Sequence, residues 1–226
     1  MRVGNFVMRA WRWLKRNVDL YVKRDPFLVA LRRWHHDGGD ERFRFDYSIS
    51  PDSTVVDVGG YRGDWTQRMS ERYGCTIHIF EAVPSFAKEI RERFRGSDKV
   101  STHAFGLSDD DRVVSMSVAA DGSSAFRSGA DRIDVRFRDV DSVLREYGID
   151  EIDLIKINIE GGEYPLLRRM LDSGIVERCR DIQVQFHLDY PDAVHLRDEL
   201  RRELQRTHEL TYDYYFVWEN WHRRGE

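Results

Sequence analysis

The sequence is poor in cysteine. Only Cys75 and Cys179 occur among 226 residues, and they are too far apart to form a CxxC pair. This scarcity excludes a disulfide framework and gives no sign of a zinc site. A reducing cytoplasm is therefore the simplest compartment that we predict for the protein.

Long apolar runs are also missing. No stretch approaches the roughly 18 consecutive apolar residues that a transmembrane helix needs. Near the N-terminus, Arg9, Arg12, Lys15 and Arg16 interrupt every apolar segment. We therefore expect no cleavable secretion signal there.

An overall positive charge is lacking, since the formal net charge is −4. Its distribution is uneven. Residues 1–36 hold nine Arg or Lys against two Asp, a balance of +7, and the remainder holds 27 basic against 38 acidic residues, a balance of −11. The negative part argues against nucleic acid as a partner, because phosphate backbones are bound by positive surfaces.

What the chain does contain is enough apolar material for a folded domain: 41% hydrophobic and 12% aromatic residues. These fractions exclude a disordered chain. The length suits one domain with an appendage. We predict an N-terminal helical extension over residues 1–45 and a main domain over residues 46–226.

Residues 5–23 have apolar side chains at helical spacing, with most basic side chains elsewhere. Such a helix packs on its own domain or on a second copy of the chain, or it lies on an anionic membrane surface. The sequence leaves these alternatives open.

From residue 53 onward, strand and helix patterns alternate. The predicted strands are 54–58, 76–80, 100–105, 153–159 and 182–187, with one or two more in 208–219. The predicted helices are 64–73, one opening at Pro84, 140–147, 163–172 and a long one from Pro191. Residues 35–40 read as a loop, and 111–138 as short strands and loops. Such alternation predicts an α/β fold with a doubly wound, mostly parallel sheet and a helix-free C-terminal hairpin.

Ligands of open α/β sheets bind at the carboxyl ends of the strands. Every predicted strand end here is followed by glycines or polar residues. These are Asp57, Gly59, Gly60 and Gly63 after the first strand, Glu81 after the second, Phe105 and Gly106 near the third, Asn158, Glu160 and Glu163 after the fourth, and His187 after the fifth. We therefore predict one site built from several strand ends.

The first loop is not a dinucleotide fingerprint. Val58 stands where G-x-G-x-x-G requires its first glycine. Asp57 beside the loop would repel a pyrophosphate and suits a cationic ligand, while Glu81 can accept hydrogen bonds from both hydroxyls of a ribose. A nucleoside with a positive charge and no phosphate describes S-adenosyl-L-methionine.

The motifs VVDVGGYRGDW, HIFEAVP, HAFGLSD, DLIKINIEGGEYPLL, IQVQFH and FVWENW resemble those of FkbM-type class I S-adenosylmethionine-dependent methyltransferases. The resemblance covers about residues 46 to 221. It implies a seven-stranded Rossmann-like sheet whose reversed last strand forms the terminal hairpin. It also implies O-methyl transfer to a hydroxyl of a sugar, glycan or secondary metabolite.

Carried over by position, the resemblance implies a cofactor site. Gly59, Gly60 and Gly63 would wrap the methionine part of the cofactor, Asp57 would orient its amino end, and Glu81 would hold the ribose. Phe105 and Gly106 would flank the adenine. Asn158 stands where the family commonly has Asp, so a role that needs a carboxylate at that position is in question.

For the acceptor hydroxyl we predict a general base, and His187 is the first candidate because its ordinary pKa is near neutral. Glu160 and Glu163 are the alternatives. We predict no metal site, because Asn158 removes one carboxylate from a set that a hard cation would need.

Two other functions stay open from the sequence. One is a nicotinamide-dependent oxidoreductase on a similar sheet. The other is a non-catalytic scaffold in a glycan-modifying complex, joined through the N-terminal helix. Turnover of glycosides and binding of the two cofactors would distinguish them.

Overall fold

The computed structural model describes residues 24–117 and 132–225. The helices in these ranges are α1 (Pro26–His36), α2 (Asp64–Tyr73), α3 (Pro84–Arg93), α4 (Val140–Glu146), α5 (Glu163–Asp172) and α6 (Ala193–Leu204), with a short 3-10 helix at Ile175–Arg178. The strands are β1 (Thr54–Val58), β2 (Thr76–Phe80), β3 (Val100–His103), β4 (Gly106–Ser108), β5 (Arg112–Ser117), β6 (Arg132–Asp139), β7 (Ile152–Ile157), β8 (Cys179–Val184), β9 (His208–Tyr214) and β10 (Trp218–Arg223). The predicted N-terminal helix over residues 5–23 lies outside the described ranges.

Seven of these strands form one sheet in the order β3-β2-β1-β7-β8-β10-β9. The first five run parallel to one another, and β10 runs antiparallel to both of its neighbours. This is the doubly wound, seven-stranded sheet with a C-terminal hairpin that the sequence predicts.

Apolar side chains cover both faces of the sheet, as a parallel sheet requires. On one face, Ile155, Leu167 and Leu200 belong to the larger core that α4, α5 and α6 complete. On the other, Ile77, Trp65 and Met69 belong to a second core beneath α2 and α3. The central strands are therefore buried on both sides, and only their ends reach a ligand.

A smaller sheet of order β4-β6-β5 joins the main body beside α4. The sequence predicts short strands in this region but no separate sheet. Residues 118–131, in the middle of the predicted short strands and loops of 111–138, lie outside the described ranges.

The segment before β1 packs onto the hairpin. Trp34 of α1 is 1% exposed and contacts the rings of Phe43, Tyr212 and Tyr214. Helix α1 continues through His36. The loop therefore begins at Asp37, two residues later than the prediction of 35–40. The helix starts here because Pro26 occupies its first turn and Asp25 caps it through the Leu28 nitrogen.

The fifth parallel strand is also displaced from its prediction. The sequence indicates 182–187, whereas β8 is Cys179–Val184. Pairing ends at Val184 because its partner Ile157 is the last residue of β7. Strands β3 and β7 likewise end two residues earlier than predicted, at His103 and Ile157.

Among residues 24–117 and 132–225, no helix has both the length and the apolar character needed to cross a bilayer.

Candidate active site

The sheet register brings the predicted site residues to one edge. Val58, the last residue of β1, is level with Phe80 of β2 and with Ile157 of β7. The residues that follow, Gly59, Glu81 and Asn158, therefore lie side by side at the carboxyl edge. This is where open α/β sheets bind ligands.

The loop after β1 has a backbone that favours glycine. Gly59 and Gly63 have φ angles of 84° and 82°, and Tyr61 between them has 50°. A Cβ at Gly59 would lie 2.1 Å from the backbone oxygen of Asn158, which leaves no room for any side chain. The loops after β1 and β7 therefore approach each other as closely as two backbones can.

Glu81 links this loop to the end of β2. Its carboxylate accepts hydrogen bonds from the backbone nitrogens of Tyr61 and Val83, both at 2.8 Å. Burial raises the pKa of Glu81, although the two hydrogen bonds act in the opposite direction. A carboxylate has about four acceptor positions, so each oxygen can still accept a hydroxyl of a ribose.

Asp57 lies beneath the loop and pairs with a cation of the protein. It is fully buried, and its Oδ1 lies 2.9 Å from Nζ of Lys156 while Oδ2 accepts from Thr66 at 2.7 Å. Lys156 also donates to the backbone oxygen of Gly59 at 2.7 Å. The charge of Asp57 is thus compensated by a protein cation, and the pair fixes the glycine loop from below. Its contact with the cofactor stays a prediction.

A cluster of aromatic side chains lies at the end of β3, next to the end of β2. The ring of His103 stacks on Phe80 at 4.6 Å and meets the edge of Tyr147 at 4.4 Å. Burial lowers the pKa of His103 to about 4, assisted by the nearby His78, so the ring is neutral near pH 7. Phe105 packs beside it, with its ring centroid 5.9 Å away.

Packing within the smaller sheet requires glycine at position 106. A Cβ at this position would meet the ring of Phe137 at 2.6 Å, because β4 and β6 pair there. Its predicted place beside the adenine remains a prediction.

The third part of the edge is a carboxylate and an imidazole. Glu163, the first residue of α5, is fully buried, and its Oε2 accepts from the backbone nitrogen of Gly161 at 2.8 Å. Its Oε1 accepts from the backbone nitrogen of His187 at 2.8 Å and lies 3.1 Å from Nδ1 of that residue. Tyr164 donates to the backbone oxygen of His187 at 2.8 Å. Both the backbone and the ring of His187 are therefore held in place.

This arrangement decides the chemistry of the ring. An ionised carboxylate only accepts hydrogen bonds, so Nδ1 carries a proton and the neutral ring has its free electron pair on Nε2. Burial opposes protonation of His187, but the hydrogen bond and the charge of Glu163 outweigh it and raise the pKa. His187 can thus act as a base through Nε2.

Glu160 differs from the other two catalytic candidates. It is exposed and has a φ angle of 49°. The buried carboxylate that supports the loop backbone is Glu163. Within the described part of the chain, no group of three or more His, Cys, Asp or Glu side chains is arranged to hold a metal ion.

The sequence reasoning missed three supporting residues: Thr66, Lys156 and Tyr164. A signal existed for Lys156, because a lysine inside the apolar strand Ile152–Ile157 must be paired when buried. No local signal identifies its partner, which lies 99 residues away.

With this geometry in place, comparison with known proteins decides the family. The sequence matches the family model of the methyltransferase FkbM domain over residues 57–214, well over half of the chain. The chain belongs to the FkbM methyltransferase family. It is a class I methyltransferase that uses S-adenosylmethionine, and the oxidoreductase alternative is set aside. No curated protein matches the sequence.

Three solved structures are similar to this chain. A protein assigned as an rRNA methylase from Clostridium thermocellum is 11% identical, with a TM-score of 0.51, and the match covers 80% of this chain and 90% of that one. An rRNA methylase from Streptococcus thermophilus is 13% identical, with a TM-score of 0.47, and coverages of 77% and 89%. The SAH-bound methyltransferase PaMTH1 of Podospora anserina is 12% identical, with a TM-score of 0.47, and coverages of 76% and 72%.

The residues present fit the cofactor. Gly59 has no room for a side chain, so the loop after β1 presents bare backbone at the carboxyl edge. Glu81 brings a buried carboxylate to the end of β2, where a ribose diol would be recognised. When bound, S-adenosylmethionine supplies a methyl group already activated by its sulfonium sulfur.

Proposed function

We propose that the protein transfers a methyl group from S-adenosylmethionine to a hydroxyl oxygen of a sugar, glycan or other small-molecule acceptor. The observation that supports this most strongly is the hydrogen-bonded pair of Glu163 and His187 at the carboxyl edge. A sugar hydroxyl is a weak nucleophile and gains from a positioned base.

His187 is the proposed general base. His187 would take the hydroxyl proton on Nε2 as the acceptor oxygen becomes methylated. When bound, S-adenosylmethionine would supply the methyl group and would keep the electron pair of its carbon–sulfur bond, so that S-adenosylhomocysteine is the second product. Glu163 is a positioning residue, because it fixes the tautomer and orientation of the ring and stabilises the imidazolium that forms.

The cofactor site in this proposal consists of Asp57, Gly59, Gly60, Gly63, Glu81, Phe105, Gly106 and Asn158. Asn158 provides an amide at the end of β7 where a carboxylate would add charge. The buried pair of Asp57 and Lys156 supports the loop that carries Gly59.

The proposed acceptor is not nucleic acid. Residues 37–226 carry a balance of −11, from 27 basic and 38 acidic residues, and this charge opposes a phosphate backbone. Resemblance in fold to rRNA methylases does not alter this argument, since one fold serves many substrates.

The test is methyl transfer from labelled S-adenosylmethionine to a panel of glycosides, with products identified by mass spectrometry. We expect a methyl ether product, and we expect His187→Asn to lower kcat by about 10²- to 10⁴-fold, the usual contribution of a general base. Affinity for S-adenosylhomocysteine should be unchanged in the variant. Methylation of RNA, or no product with any acceptor despite cofactor binding, would refute the proposal; the second outcome would favour the scaffold.

Two further parts of the proposal concern location. We propose a cytoplasmic protein, supported by two thiols that are buried and unpaired. We also propose that residues 5–23 join the chain to a second copy or to a membrane surface. Flotation with anionic vesicles and light scattering, each with and without residues 1–23, test these partners.

A further inference from the structure

Arg44 is a partly buried cation without an ion-pair partner among residues 24–117 and 132–225. Its Nε is fully buried, and within residues 24–117 and 132–225 it has no hydrogen-bond partner. No carboxylate of that part of the chain forms an ion pair with the guanidinium. Burial lowers the pKa of Arg44, although Asp40 and Asp57 oppose this through their charge.

Other buried or partly buried arginines in the fold do have such partners. Arg197 lies 2.6 Å from Glu219, and Arg169 lies 2.7 Å from Asp139. An uncompensated buried charge is costly, so an anion at Arg44 would supply the charge that the described residues do not.

The position of Arg44 relates it to the glycine loop. Its backbone oxygen accepts from Nε1 of Trp65 at 3.2 Å, and Trp65 follows Gly63 by two residues at the start of α2. Nζ of Lys156, which donates to Gly59, lies 5.9 Å from the Trp65 ring centroid. Arg44 thus adjoins the loop that we assign to the methionine part of the cofactor.

Its side chain is held by a second tryptophan. The guanidinium carbon lies 4.7 Å from the ring centroid of Trp218, the first residue of β10. Since Glu219 is level with Val184, Trp218 stands at the carboxyl edge of the sheet. Stacking on an aromatic ring orients the planar fork of an arginine, and that fork matches a carboxylate.

We infer that Arg44 binds the α-carboxylate of S-adenosylmethionine. The inference rests on the proposed placement of the methionine part at Gly59 and Gly63. The ligand carries one carboxylate, and Arg44 offers the charge and the planar donors that it needs. Asp57 forms its hydrogen bonds with Lys156 and Thr66, and no ion pair joins it to Arg44.

The test compares two ligands, S-adenosylmethionine and its decarboxylated analogue, which keeps the sulfonium and the amine. Titration calorimetry is run on the full chain and on Arg44→Gln and Arg44→Lys. Arg42→Gln is the matched control, since Arg42 is exposed and two residues away. Thermal unfolding of each variant checks the fold.

We expect the wild type to prefer the carboxylated ligand by about 10- to 100-fold, as a charge-assisted pair provides. This preference should nearly vanish in Arg44→Gln and be partly kept in Arg44→Lys. Affinity for the decarboxylated analogue should change less than about threefold, and Arg42→Gln should behave as the wild type.

Three results would overturn the inference while leaving the cofactor placement intact. One is an unchanged preference in Arg44→Gln. Another is an equal loss for both ligands, which shows a purely structural role. The third is unchanged binding with a raised KM for an acidic acceptor. Failure of both ligands to bind the wild type would instead refute the cofactor placement itself.

Discussion

Oε1 of Glu163 lies 2.8 Å from the backbone nitrogen of His187 and 3.1 Å from Nδ1 of the same residue. A single buried oxygen therefore fixes both where the residue sits and which ring nitrogen carries the proton. The remaining nitrogen, Nε2, is the one left to accept a proton from an acceptor. The proposed chemistry depends on this relationship.

The pH profile follows from that pair. The base must be neutral, and Glu163 raises the pKa of His187. The rate should therefore rise with pH through a value above the ordinary pKa of about 6.5. In Glu163→Gln the negative charge is lost, so the pH at which the rate rises should be lower than in the wild type. The maximal rate reached at high pH should fall by about tenfold or more.

The measurement is the pH dependence of kcat, together with an NMR titration of the His187 ring. Glu160→Gln is the control, because Glu160 is exposed and acts on His187 only through its charge. If kcat of Glu163→Gln rises at the same pH as kcat of the wild type, the positioning role of Glu163 is refuted.

The ion pair of Asp57 and Lys156 should dominate stability at the glycine loop. Lys156→Met leaves the buried carboxylate of Asp57 uncompensated, and we expect a loss of about 3–5 kcal/mol in the free energy of unfolding. Lys88→Met, at an exposed position, should change it by less than about 0.5 kcal/mol. Urea unfolding measures both, and equal effects would contradict the pairing.

Gly59 should be sensitive for two separable reasons. Both Gly59 and Gly74 have positive φ angles, 84° and 61°, but only at Gly59 would a Cβ meet other atoms. Gly74→Ala should therefore cost about 1 kcal/mol of stability through its backbone alone. Gly59→Ala should cost clearly more and should abolish measurable cofactor binding. Similar losses in the two variants would show that the contact with Asn158 is unimportant.

Acid should destabilise the fold through His103. Its pKa is lowered to about 4, whereas the unfolded chain binds a proton at about 6.5. Between these values the unfolded state holds more protons, so stability is fully present above pH 6.5 and is lost as the pH falls toward 4. Comparing urea midpoints at pH 7 and pH 5 should show a smaller drop for His103→Gln than for the wild type. The exposed His195→Gln serves as control and should retain the full drop.

Where signals are local, the sequence predicts the fold closely. The strand Thr54–Val58 and the helix Asp64–Tyr73 have the predicted bounds, because a β-branched run ends at glycines and an apolar face repeats every four residues. The loop after β1 and Glu81 lie at the same edge of the sheet, as predicted, because parallel strands have their carboxyl ends at one edge.

What the sequence does not predict depends on distant partners. The end of β8 is set by the end of β7, and α1 is stabilised by the hairpin aromatics near the other end of the chain. The pairing of Asp57 with Lys156, and the position of Arg44 over Trp218, join residues far apart in the sequence. No periodicity or spacing indicates such contacts.

The most direct test of this account is calorimetric titration of S-adenosylmethionine and S-adenosylhomocysteine into the wild type and Glu81→Gln. Glutamine keeps the shape of the side chain but replaces one acceptor oxygen with a donor that faces a backbone N–H. We expect tight binding to the wild type and an affinity lower by about 10- to 100-fold in the variant, because the ribose hydroxyls lose a charged acceptor. Equal affinity in the two proteins would contradict the placement of the cofactor at the carboxyl edge of β1 and β2.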